Sequence, residues 1–372
     1  MFAPVRFLAS IRPEASPGVL GGAGVVTAVF AATPFLIPEI ASGFGITVGT
    51  AGLVSTAQVG GFAVASFLAG RMGRPSAAML RTAVTALVIT AAASAYAPSI
   101  PILFALRAVA GAGMGVITWV AWADATRFRR GVGDVAATGP VAATIVSPVL
   151  GWLAGVGSYR AVYLALAGVS ALALVLPVDV QARPRVGGLV SPSRSNRVLL
   201  LALALLTCFG SSVFVFGAAA GAQVAGLGPV AVSLGFSFNA LAGVAATRRN
   251  ARPGSGGWWM IGTAVSALAV AIVPNGVVFI LAMGLWGYSF WIGLPEVLRL
   301  IAARSLRPDE RVGDAHSLMA VGRVAGPAVG GFALGDGRFA LLGIVGSSGL
   351  LAASLVVAAV ERHRLATPAA VE

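Results

Sequence analysis

Twelve apolar runs, parted by short turns that carry arginine, constrain this chain more than any other feature. A helix needs roughly 17–25 apolar residues to cross a bilayer. Inside the hydrocarbon every backbone polar group must find a partner within its own segment, so such runs can only be helices. The runs predict helices over 19–42, 47–70, 77–97, 101–124, 133–156, 159–177, 197–220, 224–246, 257–273, 276–301, 313–334 and 338–361. Only 10% of the chain is charged, against about 25% in a soluble domain. That leaves little room for a soluble domain and predicts an all-α integral membrane protein.

All 25 basic residues are arginine. With the N-terminus placed in the cytoplasm, 21 of them fall in inside segments or at inside helix ends, and two, Arg160 and Arg338, fall outside. Arg107 and Arg323 lie within helices. The positive-inside rule therefore supports the helix count, because one missed helix would invert every later loop. It also predicts that both termini are cytoplasmic and that the protein is a multi-pass plasma-membrane protein. Residues 1–18 form a polar cytoplasmic lead-in, and no cleavable signal peptide is expected because the apolar run that follows is too long for one. The longest internal turn, 178–196, is rich in Pro, Gly, Ser and Arg. It is the expected cytoplasmic linker between an N-terminal six-helix bundle (19–177) and a C-terminal one (197–361), with residues 362–372 as a cytoplasmic tail.

The halves resemble each other. Trp119-x4-Asp124-x2-Arg127 returns as Trp291-x4-Glu296-x2-Arg299, 172 residues later. Val132-Gly133-Asp134 returns as Val312-Gly313-Asp314, and Pro148-x2-Gly151 as Pro327-x2-Gly330. A repeat of nearly half the length in so apolar a chain predicts two similar membrane halves. Asp134 and Asp314 read as N-terminal caps of the fifth and eleventh helices.

The turn after the second helix reads Leu68-Ala69-Gly70-Arg71-Met72-Gly73-Arg74-Pro75. Together with the six-plus-six layout, it resembles the signature G-x-L-A-D-R-x-G-R-R of the major facilitator superfamily. Here Ser66, Gly70 and Pro75 stand where that signature has its first glycine, its aspartate and its last arginine. Arg107-x3-Gly111-x-Gly113 resembles the fourth-helix motif of the family's proton-coupled members. Gly326-Pro327-x2-Gly330-Gly331 is a complete G-P-x-x-G-G, the motif that marks drug/proton antiporters when it lies on the fifth helix. Here the fifth-helix copy is degraded to Ser147-Pro148-x2-Gly151-Trp152. The resemblance implies two six-helix bundles that rock around a central site.

Small residues recur at four-spacing on the second, fifth, eighth and eleventh helices, a period that lets backbones approach closely. The resemblance assigns these helices to the interface between halves, with Gly151, Gly326 and Gly330 among the interface glycines; Gly111 and Gly115, interface glycines on the fourth helix beside Arg107, are expected to meet another helix or the cavity closely. An arginine at membrane depth is costly and is normally aimed at a polar interior. Arg107 is thus expected in the transport pathway, with Glu39 as its counter-charge if protons drive transport. Gln58, Asn239 and Arg323 are further pathway candidates. The resemblance also implies an inner gate, with Asp124 facing Arg71 or Arg74 and Glu296 facing Arg248 or Arg249.

These readings point to a secondary active, alternating-access transporter that exports small hydrophobic or amphipathic compounds. Uptake or exchange of a sugar or organic acid is the nearest alternative. A non-transporting membrane receptor or scaffold is the alternative of another class. The chain holds no constellation of nucleophile and base, so enzyme activity is not expected. The one cysteine and two histidines do not make a metal cluster, and no cofactor is expected. The expected partners are a small-molecule substrate, the lipid bilayer and, if transport is coupled, protons. Nucleic acid is not expected, and the expected state is a monomer.

Overall fold

The computed structural model describes residues 13–125, 131–180, 193–247, 249, 251–303, 305 and 308–366. Twelve helical spans account for almost all of them: α1 (Pro17–Phe44), α2 (Val48–Met72), α3 (Ala77–Ala95), α4 (Ile100–Ala125), α5 (Gly131–Val156), α6 (Tyr159–Leu174), α7 (Arg194–Phe214), α8 (Pro229–Thr247), α9 (Gly256–Ile272), α10 (Gly276–Ala303), α11 (Pro308–Leu334) and α12 (Phe339–Ala366). Ten spans are long and apolar enough to cross a membrane, and α6 and α9 are shorter apolar helices of 16 and 17 residues.

The seventh span departs from its predicted form. It breaks at Val215–Phe216 and resumes as a seven-residue helix, Gly217–Gln223. A turn through Gly226 at φ 67 then delays the start of α8 to Pro229. The expected helices 197–220 and 224–246 put the break before the Gly226-x-Gly228-Pro229 turn, which is where the chain reverses.

The helices pack into two six-helix bundles. In the first, α2 lies along α4, α3 along α6 and α4, and α1 against α5 and α6. In the second, α7 lies along α11, α8 along α10, and α9 against α10 and α12. The bundles meet through α2 with α11 and α5 with α8. Helix association in lipid gains little from hiding apolar surface, so close van der Waals approach carries it. A Cβ on Gly111 or Gly61 would overlap the backbone carbonyl of Gln58 or Ala108 across the α2–α4 seam. Gly115 fits against the Phe62 carbonyl and the Ser66 hydroxyl, which donates to the Gly115 carbonyl at 3.2 Å. On the α7–α11 seam Gly322, Gly326 and Gly330 lie against the carbonyls of Ala204, Cys208 and Ser212.

Gly111 and Gly115 thus meet another helix, as expected, whereas Gly326 and Gly330 pack within their own half. Gly111 and Gly115 join α4 to α2, and Gly326 and Gly330 join α11 to α7. Gly151 alone among them lies between halves, against Ser233 and the Pro229 carbonyl of α8. The four-residue period marks close approach but does not say which partner approaches. The duplicated tryptophans have a packing role as well: Trp119 covers Gly70 and Gly73 at the end of α2, and Trp291 covers Gly243 of α8. Asp134 does not cap its own helix. It lies in the first turn of α5, and its Oδ2 accepts the backbone N–H groups of Glu14 and Ala15 at 2.7 and 3.3 Å.

Gly111→Val is expected to lower the melting midpoint of the detergent-solubilised protein, at the ~1–3 kcal/mol that overpacking costs. Gly168→Ala, whose Cβ would meet nothing within 4 Å, is the control and leaves the midpoint unchanged.

Candidate functional site

The seam between halves is shut at the arginine-poor end. Gly49 of α2 and Gly331 of α11 touch backbone to backbone, and a Cβ on Gly49 would stand 2.6 Å from the Gly331 carbonyl. Gly52 takes the ring of Phe216, and Gly155 takes Pro229. Behind them Phe35 of α1 meets Phe236 of α8 at 5.1 Å, and Phe214 of α7 packs edge-on to Phe236 and Trp286 at 5.2 and 5.5 Å. These are the distances at which aromatic pairs attract.

Toward the arginine-rich end the seam parts. α11 turns about 100° per residue, and its faces are occupied in turn. Gly322, Gly326 and Gly330 meet α7, and Val324 and Gly331 meet α2. Val321, Ala325 and Phe332 are exposed on the outer side. The face between the α7 and α2 contacts, away from that outer side, carries Leu334, Pro327, Arg323 and His316. Pro327 and Leu334, nearer the closed end, are buried, whereas Arg323 and His316 are exposed. The interior face thus opens into a crevice between Pro327 and Arg323. Across it Trp122 of α4, itself exposed, brings its ring to 6.4 Å from that of His316.

Arg107 takes a different place from the one expected. It is 1% exposed and packed inside the first half. Its Nη2 donates to the Thr90 carbonyl of α3 at 2.9 Å, and its guanidinium lies 4.7 Å from the Tyr163 ring centroid of α6. A cation over an aromatic face, with one carbonyl acceptor, partly offsets the cost of burying the charge. Glu39 is half-buried near the far end of α1 and makes no ion pair among the described residues, so the two are not brought together. Gln58 is 3% exposed in the α2–α4 seam. Asn239 donates to the Met283 carbonyl of α10 at 2.9 Å. Asn239 thus joins α8 to α10, whereas Gln58 Nε2 is buried without a hydrogen-bond partner among the described residues.

At the arginine-rich end Asp124 is fully buried at the last turn of α4. Arg71 lies over the Phe67 ring at 4.1 Å, and Arg74 is exposed. Among the described residues Glu296 does not pair with Arg249. Arg248 lies outside the described residues, and Arg249 donates to the Tyr288 hydroxyl at 3.2 Å. Glu296 instead accepts Arg299 through two bonds of 2.8 and 2.7 Å and the Gly254 N–H at 2.8 Å. A bidentate partner three residues along the same helix is always within reach, whereas a loop arginine must be brought there. Nearby, Glu361 of α12 accepts the N–H groups of Gly256 and Gly257 at 2.9 and 3.0 Å, at the first turn of α9. Arg364 reaches the Leu300 carbonyl and Asn196 Oδ1 at 2.9 and 2.7 Å. One part of this latch was legible: Arg249-x2-Arg252-Pro253, just before Gly254, repeats Arg71-x2-Arg74-Pro75. Glu361 and Arg364 carry no such signal, nor do Trp122 and His316.

The model of the Major Facilitator Superfamily matches residues 19–331. The chain belongs to the Major Facilitator Superfamily. It is a membrane transporter rather than an enzyme, and its twelve spans are that family's two bundles. A relative named chloramphenicol resistance protein, from Streptomyces lividans, is 27% identical over 368 residues, covering 90% of this chain and 92% of its own. The solved nucleoside transporter NupG superposes with a TM-score of 0.75 at 13% identity, covering 92% of this chain and 98% of that one. A bacterial homologue of the lysosomal transporter Spinster, in an inward-facing and occupied conformation, superposes with a TM-score of 0.64 at 14% identity over 94% and 98%.

Removing Glu296 is expected to cost more than removing its partner. The side chain of Glu296 is 4% exposed and that of Arg299 is 54% exposed. Glu296→Leu strands the Gly254 N–H and should destabilise by ~1–3 kcal/mol. Arg299→Ala removes a half-solvated pair and should cost at most ~1 kcal/mol. Thermal melting of both variants checks the order, and equal shifts would show that the Gly254 contact contributes nothing.

Proposed function

We propose that this chain is an exporter of small hydrophobic or amphipathic compounds, working by alternating access. The observation that carries this reading is the chloramphenicol resistance relative, whose similarity runs almost the whole length of both chains. The crevice fits such cargo. It opens on the end that the arginine distribution assigns to the cytoplasm, and Trp122 gives it an apolar wall. Export then requires the Gly49–Gly331 seam and the Phe35–Phe236 contact to part while the other end closes. Asp124 and Glu296 sit at matching ends of α4 and α10, where closure would offer them new arginine partners. Their role is to bias the balance between the two states rather than to bind cargo. Coupling to protons is part of the proposal.

Everted membrane vesicles with an imposed pH gradient test this reading, using a panel that includes chloramphenicol. Gradient-dependent accumulation inside the vesicles is expected, and Asp124→Asn should lower turnover more than binding. Accumulation only in right-side-out vesicles would overturn export in favour of uptake.

The orientation is checked separately in a Cys208→Ala background. A cysteine at Tyr96, which is 68% exposed in the turn after α3, should react with an impermeant maleimide from outside intact cells, and one at Ser191 should not. Reaction at Ser191 would reverse the assignment of the open end.

A further inference from the structure

The exporter reading leaves the charge of its cargo open, and Arg323 addresses it. This inference rests on that reading. Of the two arginines expected at membrane depth, Arg107 has a carbonyl acceptor and an aromatic face. Arg323 has neither. Among the described residues it makes no ion pair, no hydrogen bond and no ring contact. It is nevertheless not a lipid-facing residue, because Val321, Ala325 and Phe332 occupy that side of α11. An arginine within a membrane helix that has no partner and does not face lipid marks a substrate pathway by default. Its planar fork is built to take a carboxylate or similar oxyanion through two parallel bonds.

The rest of the crevice complements that fork. Three carboxylates near this end are engaged elsewhere: Glu296 by Arg299 and Gly254, Glu361 by the α9 amides, Asp134 by the Glu14 and Ala15 amides. Among the described residues no carboxylate is paired with Arg323. His316 lies seven residues before Arg323, two turns or about 10 Å along the same face. There it and Trp122 present two rings 6.4 Å apart and 32° from parallel. A flat apolar group can lie against these rings while an anion reaches Arg323 (a span of one small amphipathic molecule).

We infer that the crevice is a binding site for aromatic organic anions, with Arg323 of α11 holding the anionic group and Trp122 with His316 flanking the ring. Arg323 makes the site favour anions over neutral analogues and disfavour cations.

The test uses the full chain in nanodiscs and proteoliposomes with three probes of one shape: 1-naphthoate, 1-naphthylmethanol and 1-naphthylmethylammonium. Equilibrium dialysis should show naphthoate bound at least tenfold more tightly than the alcohol, with the ammonium weakest. Arg323→Gln should remove at least tenfold of naphthoate affinity and leave the alcohol within about twofold. Arg323→Lys should keep part of the preference, and Trp122→Ala should weaken naphthoate and the alcohol together. A wild-type protein with no preference for naphthoate over the alcohol overturns the inference without any variant. So does an Arg323→Gln protein in which all three probes fall alike, since that marks a role in folding or in switching. Failure of the exporter reading looks different: naphthoate binds with the stated preference, yet no probe crosses proteoliposomes in the export direction.

Discussion

Close backbone contact at glycine is the interaction on which the rest of this structure depends. In lipid a helix gains almost nothing by hiding an apolar face, because acyl chains are as apolar as leucine. What remains is dispersion at short range, and it is lost if a Cβ keeps two helices apart. Gly61, Gly111 and Gly115 bring α2 and α4 to carbonyl contact, and Gly322, Gly326 and Gly330 do the same for α7 and α11. Each half is thereby a firm body. Between halves the same device is used at one end, where Gly49 meets Gly331 and Gly151 meets Ser233. Two firm bodies joined tightly at one end and parted at the other are the geometry that alternating access requires.

Charge is handled with the same economy. Arg107 is sealed between Thr90 and Tyr163 and holds α3, α4 and α6 together. Glu296, Glu361 and Arg364 tie the ends of α7, α9, α10 and α12 to one another through backbone amides and carbonyls as well as side chains. Such ties fix the arginine-rich end of the second half as a unit, so that movement is concentrated in the seam. Arg323 stands apart because, among the described residues, it has no ion pair or hydrogen bond. The difference between Arg107 and Arg323 is one of surroundings, since both are single arginines within apolar helices.

Hydrophobic run length and arginine placement, both local quantities, determined the all-α membrane class and the twelve spans, and repeated motifs such as Trp119-x4-Asp124 and Trp291-x4-Glu296 marked the resemblance of the halves. Spacing also marked the residues of close approach, such as Gly111 and Gly326, and the ends of α4 and α10 where Asp124 and Glu296 sit. Only the tertiary structure decided what those residues meet. Gly326 faces α7 rather than the other half, Arg107 faces Tyr163 rather than Glu39, and Glu296 takes Arg299 and the Gly254 amide rather than Arg249. Trp122 and His316 meet across the seam although no repeat or motif links them. The physical reason is that helix periodicity states which residues share a face, while the neighbour of that face depends on how twelve faces are packed at once.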